Sequence, residues 1–223
     1  MKRYTDTTSS MKDDTLTLNR RHFVASTALT TLALGAGASL LTPSIAQASV
    51  MDIQEDDMVL GDRNAPIGIV EYASLTCPHC AEFHKKSLPG LTKDYIDTGK
   101  AFLIYRDFPL DRFALQAAIL AHTAGEMRFF AVLKILYEKQ AEWRGASNPT
   151  EELTKIGKMV GISQAKFEEA LANTQLGESI LKDRMVGQND YQVSATPTLF
   201  INGDLYTGRP DDYTALNDYL QGL

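Results

Sequence analysis

Cysteine is scarce in this chain: two in 223 residues. That excludes a disulfide framework stapling a small loop-rich fold. It also excludes a four-cysteine zinc site, because no second pair exists. Basic charge is short as well, with 22 Lys and Arg against 28 Asp and Glu and no basic stripe, so nucleic acid is not expected as a partner. The lone tryptophan, Trp143, reads as packing. Beyond residue 48 there is no internal repeat, no low-complexity tract and no apolar run of spanning length, so a soluble domain is expected there.

The one long apolar run lies near the start. Asn19-Arg20-Arg21-His22-Phe23-Val24 forms a charged step, an Ala/Thr/Gly-rich stretch follows to about Leu41, and Ala46-Gln47-Ala48 places small residues where a signal peptidase reads. Residues 1–48 therefore read as a secretory signal, set aside from the fold. The paired arginines and the weak hydrophobicity suggest the twin-arginine route. Removing five of the 22 basic and three of the 28 acidic residues leaves 17 against 25 in residues 49–223. That stretch has the size of one domain with its own core.

The two cysteines stand three positions apart, in Cys77-Pro78-His79-Cys80. A bridge between them closes so short a loop that it stabilises little by chain entropy. In an oxidising compartment, reactivity explains such a pair better than stapling.

Around this motif the local signals give an order of elements. A polar arm runs from Ser49 to Asp62, with a brief strand near Met58–Leu60. Ile67–Ala73 is short, apolar and bounded by breakers, a buried strand. A helix follows, with Pro78 at its first position, where the missing N–H has no helical partner. Pro89 should kink or break it, and Gly99 ends it. Ala101–Arg106 is the next strand, which makes a parallel βαβ unit. A helical stretch covers about 111–190, divided as Arg112–Gln140, Thr150–Val160, Ser163–Asn173 and Leu176–Gly187, with Asn148 and Ser163 as caps. Thr198–Ile201, the turn Asn202-Gly203 and Asp204–Thr207 form a hairpin. A closing helix spans Asp211–Leu220.

Disulfide exchange needs a thiolate nucleophile and a good thiolate leaving group. Cys77 falls at the N-cap of the first helix, where unpaired N–H groups and the positive dipole end lower a thiol pKa. A thiol brought from about 8.5 to about 5.5 stabilises the reduced protein by roughly 2 kcal/mol at pH 7, or roughly 45 mV for a two-electron couple. A helix dipole supplies ~0.3–1 kcal/mol, ~2 at best, which makes His79 the expected second contributor. Cys80, one turn further in, should be buried and act as the resolving thiol. Glu71, inside the apolar strand, is the candidate proton acceptor for it, since burial disfavours a carboxylate's charged form. Arg106 is a candidate charge partner for Glu71. Pro197 suits the first residue of a strand, because an interior proline removes a ladder donor. His84 and His122 read as ordinary surface or core histidines, and Tyr72 and Phe108 as residues near the site that nothing separates from core.

Taken together, CPHC after the first core strand, a helical block after the second, Thr196-Pro197 opening the third, and Gly61-Asp62-Arg63-Asn64-Ala65-Pro66 ahead of the first resemble the DsbA-like thioredoxin-fold oxidoreductases of bacteria. The resemblance covers nearly all of 49–223. It implies an α/β thioredoxin fold (β-α-β, then β-β-α, around a mixed sheet) with an inserted all-helical subdomain. It implies a periplasmic, monomeric thiol:disulfide oxidoreductase that needs no cofactor or metal. Its substrates would be reduced or unfolded exported proteins, and a DsbB-type membrane partner would reoxidise it. It further implies a cis Thr196–Pro197 bond facing the CPHC pair, with the Thr196 backbone open to an extended substrate, and a buried acid at the position of Glu71. The best-known oxidase of the family has Val before this proline. Thr occurs there in isomerases and in some other oxidases, so an isomerase or reductase is the alternative, and a metal-binding or chaperone-like module is a more distant one.

Overall fold

The computed structural model describes residues 49–223; the proposed signal, 1–48, lies outside the described residues. Five strands form one mixed sheet: β1 (Met58–Gly61), β2 (Ile67–Ala73), β3 (Ala101–Asp107), β4 (Thr198–Ile201) and β5 (Asp204–Leu205), in the order β1-β3-β2-β4-β5. β2 and β3 run parallel, joined by a helical crossover, while β1, β4 and β5 join antiparallel. β2 is therefore central, and its run of apolar residues reflects burial on both faces.

Between β2 and β3 the chain forms α1 (Pro78–Lys86), α2 (Leu88–Leu91) and a π-helical turn (Thr92–Ile96). The interruption at Ser87 comes just before Pro89, whose ring is incompatible with a continued helix. The helical block between β3 and β4 comprises α3 (Arg112–Thr123), α4 (Glu126–Glu138), α5 (Gln140–Arg144), α6 (Pro149–Met159), α7 (Gln164–Ala172) and α8 (Thr174–Asp190). Asn148 and Ser163 cap α6 and α7 as expected. The expected single helix Arg112–Gln140 is instead two helices and the start of a third. Gly125 takes φ +78, a left-handed conformation that ends one helix and opens the next. Asn202 (φ 50) and Gly203 (φ 94) make the tight β4–β5 turn, and α9 (Tyr213–Gln221) closes the fold with Asp212 as cap. This is the thioredoxin order with the helical insertion that the sequence implied.

Strand alternation divides the core. Ile69 and Ala73 of β2 face α1 and the helical block, in clusters with Phe83, Cys80 and Phe129. Val70 and Tyr72 face the other way, packed with Val50, Phe108, Val193 and Phe200. Tyr72 and Phe108 are thus core residues, and Trp143 is buried with its indole N–H donating to the Leu136 carbonyl at 2.8 Å.

Candidate active site

The turn between β2 and α1 is braced from three directions. Ser74 Oγ accepts from the backbone N–H of Leu110 at 3.3 Å. Thr76 Oγ1 donates to Asp111 Oδ2 at 2.7 Å, while the other oxygen of Asp111 caps α3 by accepting from Phe113 and Ala114. The amide of Gln140, at the start of α5, donates to the carbonyls of Leu75 (2.9 Å) and Cys77 (2.8 Å). Gln140 and Asp111 had no local sequence signal for this role; only the fold brings them to the turn.

Cys77 is the N-cap of α1, in extended conformation, with Pro78 following in the first turn. It is 6 % exposed, Cys80 is fully buried, and both are free thiols. The Cys77 thiol donates to the Thr196 carbonyl at 3.2 Å. Once ionised, the sulfur becomes an acceptor. The Cys80 thiol is its main donor, joined by the side chain of Thr196 and the backbone N–H groups of Cys80 and His79, and these overcome desolvation to bring the Cys77 pKa down from 9.0 to about 5. Thr196 Oγ1 is buried with no partner in the thiol form, so it is free to make that bond. Pro78 and His79 are exposed. His79, expected as the second contributor, acts on the sulfur through its backbone N–H. Burial, the Cys77 sulfur and the Glu71 charge push the Cys80 pKa well above 9.0. The pair is thus split: one sulfur ionised near neutral pH, the other held as a thiol.

Glu71 is fully buried in β2 and does not lie at a sheet edge. Its partner is not Arg106. His84 Nε2 lies 3.1 and 3.0 Å from its two carboxylate oxygens. Register explains the correction: Arg106 of β3 stands opposite Tyr72, Glu71 opposite Tyr105, so Arg106 and Glu71 project from opposite faces. Arg106 instead grips Asp57 with Nε and Nη2, both at 2.9 Å, and also donates to Val50 O, Asp52 O and the Tyr72 hydroxyl. His122 likewise has a buried partner, Asp107 Oδ2 at 2.7 Å.

The Thr196–Pro197 peptide is cis. It stands directly before β4, with His79, Glu82, Thr196, Pro197 and Arg209 lining one groove. All seven sequence candidates, Glu71, Cys77, Pro78, His79, Cys80, Thr196 and Pro197, therefore gather at the C-terminal end of β2, the start of α1 and the lead-in to β4.

Residues 54–221 match the thioredoxin family. The chain is 30% identical to a variant of alpha-DsbA1 from Wolbachia pipientis, with a TM-score of 0.69, covering 77% of this chain and 92% of that one. It belongs to the DsbA-like thioredoxin superfamily. A Rickettsia typhi protein named as a protein-disulfide oxidoreductase is 35% identical over 152 residues, 68% of this chain and 56% of the relative. The DsbA-like chain thus spans little more than half the length of that relative. BdbD from Bacillus subtilis shares the fold, with a TM-score of 0.66 at 23% identity over 74% of this chain and 91% of that one. Among the described residues no helix is long and apolar enough to cross a membrane.

Proposed function

We propose that this protein is an exported thiol–disulfide oxidoreductase that introduces disulfides into proteins of the bacterial periplasm. The observation that carries the reading is the split pair: Cys77 at about 5 on a helix N-terminus, Cys80 beneath it well above 9.0. A substrate thiolate attacks Cys77 of the internal disulfide and the Cys80 thiolate leaves. A second substrate thiolate then attacks the substrate's own sulfur in the mixed disulfide. The substrate departs oxidised and Cys77 departs as a stabilised thiolate. Two electrons pass to the Cys77/Cys80 pair, and a DsbB-type membrane partner removes them. The groove at Thr196 and Pro197 takes an extended substrate segment by backbone pairing. Residues 1–48 act as the export signal, and the mature domain works as a monomer. No cofactor is required, because the sulfurs carry the electrons.

Cys77→Ser should abolish dithiol oxidation and insulin reduction, while Cys80→Ser should accumulate mixed disulfides seen on non-reducing gels. Full turnover in Cys77→Ser would refute the assignment. Thr196 before the proline supports a second reading, an isomerase or reductase held reduced by another partner. Trapping the thiols in intact cells separates the two: an oxidase rests as the disulfide, an isomerase as the dithiol.

A further inference from the structure

Each cycle places a proton on, or takes one from, a sulfur with no access to water. When a substrate thiolate attacks Cys77 Sγ, a substrate–Cys77 bond forms, the Cys77–Cys80 bond breaks, and the electron pair leaves on Cys80 Sγ. That thiolate must be protonated in a site where Cys80 is fully buried. Glu71 acts electrostatically on Cys80, yet Glu71 is itself fully buried and cannot exchange with solvent directly.

His84 completes the connection. It lies four residues beyond Cys80 on α1 and so shares its helix face. Its Nε2 contacts both oxygens of Glu71, and its ring packs on Tyr137 at 4.1 Å. It also lines a cavity of about 430 Å³ between β1, α1, α2 and α4, together with Leu60, Leu88, Phe130, Leu133 and Tyr137. Exposed Lys85, Lys93 and Lys134 line the same cavity. Asp97 and Glu138 line it as well, and beside the His84 ring stand the paired hydroxyls of Tyr105 and Tyr137, 3.1 Å apart. Burial raises both phenols well above 10.0, so neither yields a proton readily near neutral pH. An imidazole can accept a proton at one nitrogen and release it from the other.

Resting on the dithiol reading above, we propose that His84 is a relay residue, passing protons between Glu71, which serves Cys80, and water in this cavity. The Glu71–His84 pair gives one proton to the departing Cys80 thiolate and regains one from solvent. Reoxidation runs the same transfer in reverse. The cavity shares no lining residue with the groove of His79, Thr196 and Pro197, so a bound substrate leaves this exit open.

The test is single-turnover reduction of the oxidised full-length protein by a peptide dithiol across a pH series. His84→Ala should slow release of Cys80 by about tenfold or more and change the pH profile, with alkylation of Cys77 in the reduced protein unchanged. Added imidazole should restore the rate in His84→Ala but not in Leu60→Phe, which narrows the cavity without touching the pair and should also be slow. Wild-type rates in folded His84→Ala, or slow rates that imidazole leaves unrestored, would overturn the relay. If His84→Ala does not fold, a wild-type rate in Leu60→Phe does so alone. Failure of the dithiol reading looks different, since the wild-type protein would then show no Cys77-dependent turnover at all.

Discussion

At the scale of single residues, the ionisation of Cys77 sets the direction of the chemistry. A pKa lowered from 9.0 to about 5 stabilises the reduced, folded form. That stabilisation is complete above the ordinary thiol value near 9, has fallen to roughly 2.7 kcal/mol at pH 7, and vanishes as pH drops through about 5. At pH 7 it corresponds to roughly 60 mV toward a stronger oxidant. A helix dipole alone, at ~2 kcal/mol or less, would not reach this. The Cys80 thiol and the Thr196 side chain supply the remainder by direct bonding to the sulfur. The reduction potential should therefore change slope with pH. Above about 5, reduction takes up one proton for two electrons, because only Cys80 is protonated, and the potential should fall by about 30 mV per pH unit. Below it both sulfurs are protonated and the slope should steepen to about 59 mV. A glutathione redox titration between about pH 4 and 8 reads this directly; a single steep slope throughout would mean that Cys77 is an ordinary thiol.

At the scale of elements, the active-site turn is rigid because the helical block reaches into it. Gln140 of α5 satisfies the carbonyls of Leu75 and Cys77, two buried acceptors on either side of Thr76. Gln140→Met should keep the volume and strand the Leu75 carbonyl, while the Cys77 carbonyl keeps the Ala81 N–H at 3.2 Å, lowering unfolding free energy by about 1–3 kcal/mol; denaturant unfolding of the reduced protein measures it, and an unchanged midpoint would show that the turn holds without this brace. This contact also marks what a sequence can and cannot reveal. β2, the start of α1 at Pro78, the caps Asn148 and Ser163, and the Asn202-Gly203 hairpin follow from neighbours in the chain, so local patterns expose them. Gln140 acts 63 and 65 residues away from its partners, and His84 reaches Glu71 across 13. Their side chains carry no local mark of these roles. The proposed Glu71–Arg106 pair failed for a related reason: strand identity was legible, but the register that sends alternate residues to opposite faces was not.

At the scale of the whole molecule, the arm ahead of the sheet packs Val50 into the core, and one side chain gathers its polar groups. Arg106, on the face opposite Glu71, bonds Val50 O, Asp52 O and both oxygens of Asp57, and the Arg106–Asp57 pair is buried. Removing one member of a buried pair leaves a charge without its counterion, which typically costs about 3–5 kcal/mol. Every one of these anchors lies beyond Ala48, the residue at which the proposed signal ends. Removal of residues 1–48 should accordingly leave the thermal midpoint unchanged, whereas removal through Asp57, or the substitution Arg106→Met, should lower it by roughly 5–15 °C for a domain of this size. Calorimetry of the three variants beside the full chain gives the comparison. A truncation through Asp57 as stable as the full chain would mean that the arm is not part of the fold. Equal losses from both truncations would instead place essential contacts before Ser49 and move the domain boundary toward the N-terminus.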